Sequence, residues 1–412
     1  MRRRVGIRTY IAVISLASVG VTLGVQAVSP ALPEIKRVFE LSDSQIGWFV
    51  TTYVLPGVVL TVPMGVLGDA IGRRLLFVIA LVVYGLAAIA QGLVVNFPFM
   101  LAMRAVQGTS FAAAMPLTIT LLGDAFSGGQ RIRALAGRNA VLTSSEVILP
   151  TGGALLGALS WRTPLFVQAV TIPLALYAFF ILEEHQVPTR RKRTYARDLL
   201  GVLRGQQGMF AVMLTAFSRY FFKLVLLAFL PVMLVSETDA TLAQVGIVIS
   251  FASLIAVVTT ASMPVLIRRI PPSLSAVSSM VFLALSTAGF ALAPDWRWAL
   301  VVAVAYGIGD GQIAVLQDTY AIHTARAHVR AGMVSISQTA RNFGKFVGPL
   351  AMTAAVAVSS VRIGFLVIAA LGLLMAPVML QLRPMDRELQ AGDGAETEPS
   401  RAMRESEDVP YE

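Results

Sequence analysis

Eight ionisable side chains lie inside strongly apolar stretches of this 412-residue sequence, and they are the first candidates for chemistry. A charge at membrane depth is costly in free energy, so such residues are suspected of binding ions, protons or polar solutes. They are Arg104, Glu146, Arg219, Lys223, Asp310, Asp318, Arg341 and Lys345. The chemistry these groups predict is reversible binding and proton uptake by the carboxyl groups, without a covalent step.

The spacing of four of these charges places them in two pairs, each on one helical face. Arg219 and Lys223 are four residues apart and share one helical face, as do Arg341 and Lys345. The eight groups comprise five cations and three acids, which favours an anionic or zwitterionic solute. The alternative is structural: Asp310 and Asp318 would neutralise Arg219 and Lys223 in fixed pairs, and Glu146 would be a permanent partner of a nearby cation.

Other kinds of site find no support in the sequence. Cysteine is absent, which excludes disulfides and cysteine nucleophiles. The three histidines, His185, His323 and His328, are too scattered to predict a metal site. No Ser/Lys dyad, His/Glu metal motif or phosphate-binding loop is present. We therefore expect neither an enzyme, nor a bound metal, nor a cofactor.

The composition predicts that lipid is the solvent of these charges. Hydrophobic residues make up 56% of the chain and charged residues 14%, with a mean hydropathy of +0.74, whereas a soluble domain carries about 25% charged residues. The net charge of +10 would suggest nucleic-acid binding in a soluble protein. In a membrane protein, the positive net charge is explained by the preference of basic residues for the cytoplasmic side. No nucleic-acid partner is therefore expected.

Twelve apolar runs are long enough to cross the bilayer as helices, which takes about 20 residues each. They lie near 10–29, 45–67, 75–94, 98–125, 134–159, 164–182, 207–235, 242–267, 274–293, 297–323, 332–359 and 362–382. With a cytoplasmic N-terminus, most Lys and Arg residues between spans fall on the cytoplasmic side. The opposite side holds only Lys36, Arg37, Arg162, Arg297 and Arg362. Both termini are therefore predicted to be cytoplasmic.

The order of motifs indicates an internal duplication. Ser42 to Gln45 and Thr241 to Gln244 both fit a capping box before an apolar run, and paired arginines follow each run. Parallel six-helix repeats of this kind form transporters with a site near the membrane midplane. We predict an N-terminal bundle over 1–183, a basic cytoplasmic linker over 184–206, a C-terminal bundle over 207–383 and a disordered cytoplasmic tail over 384–412.

The segment Gly65–Arg74 reads GVLGDAIGRR and resembles the loop signature G-x-L-a-D-r-x-G-r-k of the major facilitator superfamily. Ala70 departs from the arginine of that signature. The residues that carry the resemblance are Gly65, Leu67, Asp69, Gly72, Arg73 and Arg74. An ordinary cytoplasmic turn with basic residues is the alternative interpretation.

The resemblance implies the superfamily fold and several residue roles. The loop is a gating latch, in which Asp69 faces the start of a second-half helix and Arg73 pairs with an acid such as Asp124. Leu101–Gly108 resembles the second family motif, whose arginine, here Arg104, is tied to proton coupling; a snorkelling arginine is the alternative.

The family arrangement also places the first, fourth, seventh and tenth spans around the cavity, where Gln26 is the main polar group of the first span. The antiporter signature of the fifth span is degraded, since Ile148 and Leu149 stand where Gly-Pro belongs.

Together these features predict an all-α membrane protein of twelve helices that moves a small organic solute by alternating access. Proton-coupled efflux by antiport is the first hypothesis. The alternatives are proton-coupled uptake of an anionic or zwitterionic metabolite by symport and a non-transporting membrane sensor. The expected partners are the solute, protons and the lipid bilayer of the cytoplasmic membrane, and a monomer is expected.

Overall fold

The computed structural model describes residues 7–93, 96–126, 128–184, 208–323 and 330–386, and within these ranges the chain is helical, without a β-strand. The predicted linker (184–206) and tail (384–412) lie almost wholly outside the described residues. The all-α fold of two six-helix halves that the sequence predicts is confirmed.

The first half contains six membrane-length elements. Two of them are interrupted by 3-10 turns: α1 and α2 are joined by Ser29–Ala31, and α7 and α8 by Gln168–Val170. The helices are α1 (Ile7–Gln26), α2 (Leu32–Val38), α3 (Asp43–Ile71), α4 (Arg73–Leu93), α5 (Phe97–Ala125), α6 (Gly128–Leu159), α7 (Thr163–Val167) and α8 (Thr171–Ile181).

The second half repeats this arrangement with six elements, the last of which continues as a 3-10 helix over Ala376–Leu382. The helices are α9 (Met209–Thr238), α10 (Leu242–Arg269), α11 (Pro272–Ala291), α12 (Trp296–His323), α13 (Arg330–Val358) and α14 (Val361–Met375). In the described ranges, 11 elements are long and apolar enough to cross a membrane. The remaining element is α13, whose hydropathy is lowered by Arg341, Asn342 and Lys345.

The predicted capping boxes are present at the starts of α3 and α10. The hydroxyl of Ser42 accepts a hydrogen bond from the backbone N–H of Gln45, whose side chain in turn accepts from the Ser42 N–H. Thr241 and Gln244 make the same reciprocal bonds. Each box satisfies two N–H groups that the first helical turn leaves free, which fixes where the helix begins.

The two halves pack closely at the end of the bundle that carries Ser42 and Thr241, here called the Ser42 end. α3 packs on α13 and α6 packs on α10. Small residues allow this approach: a Cβ on Gly47 would lie 1.7 Å from the hydroxyl oxygen of Thr353, and one on Gly246 would lie 3.0 Å from the Pro150 carbonyl. Ser29 also donates a hydrogen bond to the carbonyl of Leu227.

At the opposite end, here called the Gly72 end, the same helices separate. Between Val58 and Ile71 of α3 only Gly68 is buried, and between Val257 and Ile270 of α10 only Met263 is buried. A helix that contacts lipid on one side alone keeps its other side buried against neighbours. The scarcity of fully buried residues in both segments therefore indicates a space between the halves that opens at the Gly72 end.

The turn between α3 and α4 is bound to the end of α8. Gly72 has a φ of 104°, a left-handed value that glycine adopts readily. The Glu184 carboxylate lies 3.0 Å from where a Gly72 Cβ would stand, so space as well as conformation favours glycine. Arg74 donates to the carbonyl of Phe179 and lies 4.5 Å from the centroid of its ring.

Adjacent glycines of α6 give a matched test of the close packing between helices. A Cβ on Gly153 would lie 2.2 Å from the carbonyl oxygen of Ala27, whereas one on Gly152 meets nothing within 4 Å. Gly153→Ala is expected to destabilise the protein by about 1–3 kcal/mol through overpacking. Gly152→Ala should be neutral or stabilise by up to about 1 kcal/mol. Thermal unfolding of both purified variants measures this, and equal melting temperatures would contradict the helix contact.

Candidate functional site

The most buried ion pair of the described residues joins α9 to α12 near the middle of the bundle. Asp310 has only 5% of its side chain exposed, and its two carboxylate oxygens accept hydrogen bonds from Arg219 Nε at 2.9 Å and Nη2 at 3.2 Å. This two-point geometry is the strong form of an arginine–carboxylate contact. It satisfies both charges where water is scarce, and so it is expected to hold its arrangement.

A second ion pair crosses from one half to the other. Lys223, one turn after Arg219 on α9, donates from Nζ to Glu146 of α6 at 2.7 Å and lies 3.9 Å from the Asp310 carboxylate. Lys223 has 9% of its side chain exposed and Glu146 has 31%. The lysine is therefore shared between an acid of its own half and a more accessible acid of the other half.

One side of this charge network borders a crevice between α1, α9, α10 and α12. The crevice is narrow, with room for about one water molecule. The residues that line it include Gln26, Lys223, Asp310 and Tyr306, which have polar side-chain groups. The hydroxyl of Tyr306 is buried without a hydrogen-bond partner in the described part of the chain. Hydrogen-bonding side chains thus lie beside the charge network, in a crevice that is too narrow for a whole solute in this conformation.

Two further cations lie on α13. Arg341 pairs with Asp318 of α12, whose side chain is 56% exposed. Lys345 contacts the Asn342 side-chain oxygen at 3.4 Å and the faces of two aromatic rings, those of Tyr220 and Phe111. Asn342 in turn donates to the carbonyl of Gly57 on α3. This region therefore also connects the two halves.

Arg104 lies apart from the central network, in the interior of the first half. It is 2% exposed and donates from Nη1 to the Gly24 carbonyl at 3.0 Å and to the Gln107 side chain at 2.8 Å. Its guanidinium stands 4.0 Å from the ring centroid of Phe49. The interpretation of Arg104 as a snorkelling side chain is wrong, because its head group is enclosed by α1, α3 and α5.

The signature loop forms its own ionic cluster at the Gly72 end. Arg73 donates to Asp124 of α5 at 2.6 Å and to Asp69 of α3 at 2.9 Å. The Arg73–Asp124 contact is the one that the resemblance implied. Around Gly65 there is open space, since a Cβ there would meet nothing within 4 Å.

The structure thus brings Gln26, Glu146, Arg219, Lys223 and Asp310 together, with Asp318, Arg341 and Lys345 towards α13. The expected structural pairing is correct for Asp310 with Arg219 and for Glu146 with a nearby cation, which is Lys223. It is wrong for Asp318 with Lys223. Asp318 binds Arg341 instead, because both lie nearer the Gly72 end than Lys223, and Lys223 is bound by Glu146.

Sequence reasoning missed four residues that line this region. They are Phe111, Tyr220, Tyr306 and Asn342. Two carried a signal in the sequence: Tyr220 directly follows Arg219, and Tyr306 precedes Asp310 by one helical turn, on the same face.

A family model matches most of the chain, and individual relatives match about half of it. A family model described as Major Facilitator Superfamily matches residues 14–349 and, in an overlapping second match, residues 212–406. The puromycin resistance protein pur8 of Streptomyces alboniger is 32% identical over 202 residues, covering 48% of this chain and 40% of that protein. Multidrug resistance protein 2 of Bacillus subtilis (strain 168) is 23% identical over 209 residues, covering 48% of this chain and 52% of that protein. The chain thus matches about half or less of the length of these relatives.

Solved structures match over nearly the whole length. The nucleoside transporter NupG has a TM-score of 0.76 at 12% identity, with 91% of this chain and 98% of that chain covered. A POT family transporter in complex with 5-aminolevulinic acid also has a TM-score of 0.76, at 10% identity, with 92% and 96% covered. At this identity the likeness establishes the fold.

Two aspartates of α12 give opposite predictions for stability. Asp310→Asn leaves Arg219 as a buried charge without its partner and is expected to destabilise the protein by about 3–5 kcal/mol. Asp318→Asn removes a carboxylate that is 56% exposed, so its cost is expected to be about 0–1 kcal/mol. Chemical unfolding of both variants measures the difference. Equal losses would show that Asp310 is not held in a buried pair.

Proposed function

The chain belongs to the Major Facilitator Superfamily, and from this premise we propose that it exports a small organic solute across the cell membrane in exchange for protons. Its family and its structural neighbours are transporters. Relatives that are named as drug-resistance proteins favour export. The observation that carries the proposal is the ion pair between Glu146 and Lys223, which joins the two halves at mid-membrane.

The conformation is assigned from the distribution of basic residues. We place the Gly72 end in the cytoplasm, because Arg73, Arg74, Arg268 and Arg269 lie there. The Ser42 end, where the halves are packed, then faces outwards. The protein is therefore in an inward-facing conformation, in which the central charges are accessible from the cytoplasm.

The inter-half ion pair acts as a lock. As long as Glu146 is deprotonated and the site is empty, its bond to Lys223 holds α6 against α9. A hydrogen bond between charged groups stabilises by about 1.5–3 kcal/mol, enough to bias a two-state equilibrium by roughly ten- to a hundredfold. The empty, deprotonated carrier is then held in one conformation and does not leak.

Either ligand releases this lock. A proton on Glu146 removes the negative charge, and a solute group that binds Lys223 competes with Glu146 for the same ammonium. The proton and the solute weaken the same ion pair, so either one alone promotes the conformational change. A carrier that exchanges the two must change conformation with only one of them bound. Asp310 attracts Lys223 from within the second half and so keeps its ammonium near Glu146. The bond between Asp310 and Arg219 fixes the position of the Asp310 carboxylate.

The remaining candidates have supporting roles. Arg104 ties α1 to α5 through the Gly24 carbonyl, so a shift of α1 during transport changes its surroundings. The loop cluster of Arg73, Asp69 and Asp124 holds α3, α4 and α5 together at the cytoplasmic end, as expected of a gate. Asp318 and Arg341 form a comparable pair in the second half.

Uptake is the second candidate function. Lys345 and Arg104 have no carboxylate partner in the described residues, and this excess of cations favours an anionic or zwitterionic solute. Symport and antiport differ in the sign of the pH gradient that accumulates the solute in vesicles. A symporter and an antiporter both give counterflow of labelled solute in the absence of a pH gradient, whereas a non-transporting sensor gives none.

Replacement of Glu146 tests the coupling. In proteoliposomes, Glu146→Gln is expected to retain solute counterflow and to lose at least tenfold in transport driven by a pH gradient, because the variant has no proton to exchange. Glu237→Gln is the matched control: Glu237 has a similar exposure of 28% and pairs with Arg362 within the second half. Gradient-driven transport that persists in Glu146→Gln would refute the role of Glu146.

A further inference from the structure

Among the described residues at the centre of the protein, Lys345 is an accessible cation without a carboxylate partner. Asp310 pairs with Arg219, Glu146 with Lys223 and Asp318 with Arg341, which uses all three acids of the central region in the described chain. Arg104 and Arg138 also have no carboxylate partner among the described residues, but both are enclosed, with 2% and 3% of their surface exposed. Lys345 is half-buried, and no carboxylate among the described residues lies within ion-pair distance of it.

The ammonium of Lys345 keeps capacity for a ligand. Its one hydrogen-bond acceptor among the described residues is the Asn342 side-chain oxygen, at a long 3.4 Å. An ammonium has three N–H donors, so two remain unused. Arg341 lies one turn away on the same helix and Arg219 faces the Tyr220 ring at 5.4 Å, so the surrounding potential is positive.

Aromatic rings from both halves flank this ammonium. The ring centroid of Tyr220 in α9 lies 4.7 Å from Lys345 Nζ, and that of Phe111 in α5 lies 5.6 Å away. Both distances are within the range of a cation–π contact. Aromatic rings beside a cation also suit a flat aromatic ligand, because offset stacking of rings adds to the burial of their area.

We propose that Lys345, Tyr220 and Phe111 form a subsite for the anionic group of a planar aromatic carboxylate. The carboxylate receives the two free donors of Lys345, and the aromatic part lies against Phe111 and Tyr220. Because these rings belong to different halves, a bound ligand contacts both halves at once. This inference rests on the proposed transport function, for which it names the substrate class.

Equilibrium binding to the purified full-length chain tests the subsite with matched probes. Titration calorimetry with 2-naphthoate and 2-naphthamide compares the same ring with and without a charge. The wild-type protein is expected to bind the carboxylate at least tenfold more tightly than the amide, as a charge-assisted hydrogen bond predicts. Equal affinity, tighter binding of the amide, or no binding of the carboxylate at millimolar concentration would overturn the proposal.

Variants then assign the binding to these residues. Lys345→Gln is expected to weaken 2-naphthoate binding at least tenfold and leave 2-naphthamide within twofold, whereas Lys345→Arg retains the preference for the anion. Phe111→Leu should weaken 2-naphthoate several-fold and leave hexanoate unchanged. An unchanged affinity for 2-naphthoate in Lys345→Gln overturns the assignment. If that variant does not fold, Phe111→Leu decides, because an unchanged affinity for 2-naphthoate in that variant overturns the subsite.

This test is independent of proton exchange. Loss of gradient-driven transport in the wild type, with anion binding through Lys345 intact, contradicts the export proposal alone. Proton-coupled transport by a protein that binds amide and carboxylate equally contradicts the subsite alone.

Discussion

The free-energy cost of a charge in a low-dielectric interior governs the centre of this protein, since each buried carboxylate there requires a cation and hydrogen bonds. Asp310 meets this requirement within one half, through Arg219. Glu146, which is only partly buried with 31% of its side chain exposed, is paired with Lys223 of the other half. The charge of Glu146 is therefore balanced only while the two halves hold α6 and α9 together. In the proposed cycle, a proton takes the place of Lys223 when the halves rearrange.

Among the contacts between the halves, close packing and the ion pair are expected to respond differently to ligands. Near Ser42, small residues such as Gly47 and Gly246 pack helices at close distance, and these contacts depend on shape alone. At mid-membrane the contact is ionic, so a proton or a charged solute changes its strength. In the proposed cycle, packing determines which surfaces are in contact, and the ion pair makes that contact dependent on ligands.

The sequence predicted those features that depend on local pattern. Apolar length located the helices, and the Ser42 and Thr241 boxes located two of their starts, because a cap involves residues three apart. The partners of Lys223 and Asp318 were not predicted correctly, because helix spacing gives the face of a residue but neither its depth relative to another helix nor its neighbour in the other half. The roles of Tyr220 and Phe111 were missed for the same reason, since aromatic residues are common in any membrane span.

The distance between the halves at the Gly72 end tests the lock most directly. The chain has no cysteine, so Ile71→Cys and Ile270→Cys introduce a single pair of spin labels at the ends of α3 and α10. The account predicts one long distance at high pH in the ligand-free protein, and a second, shorter distance when the pH is lowered or when Glu146→Gln is added at high pH. The same distance distribution in all three conditions would contradict the claim that the Glu146–Lys223 ion pair holds the conformation.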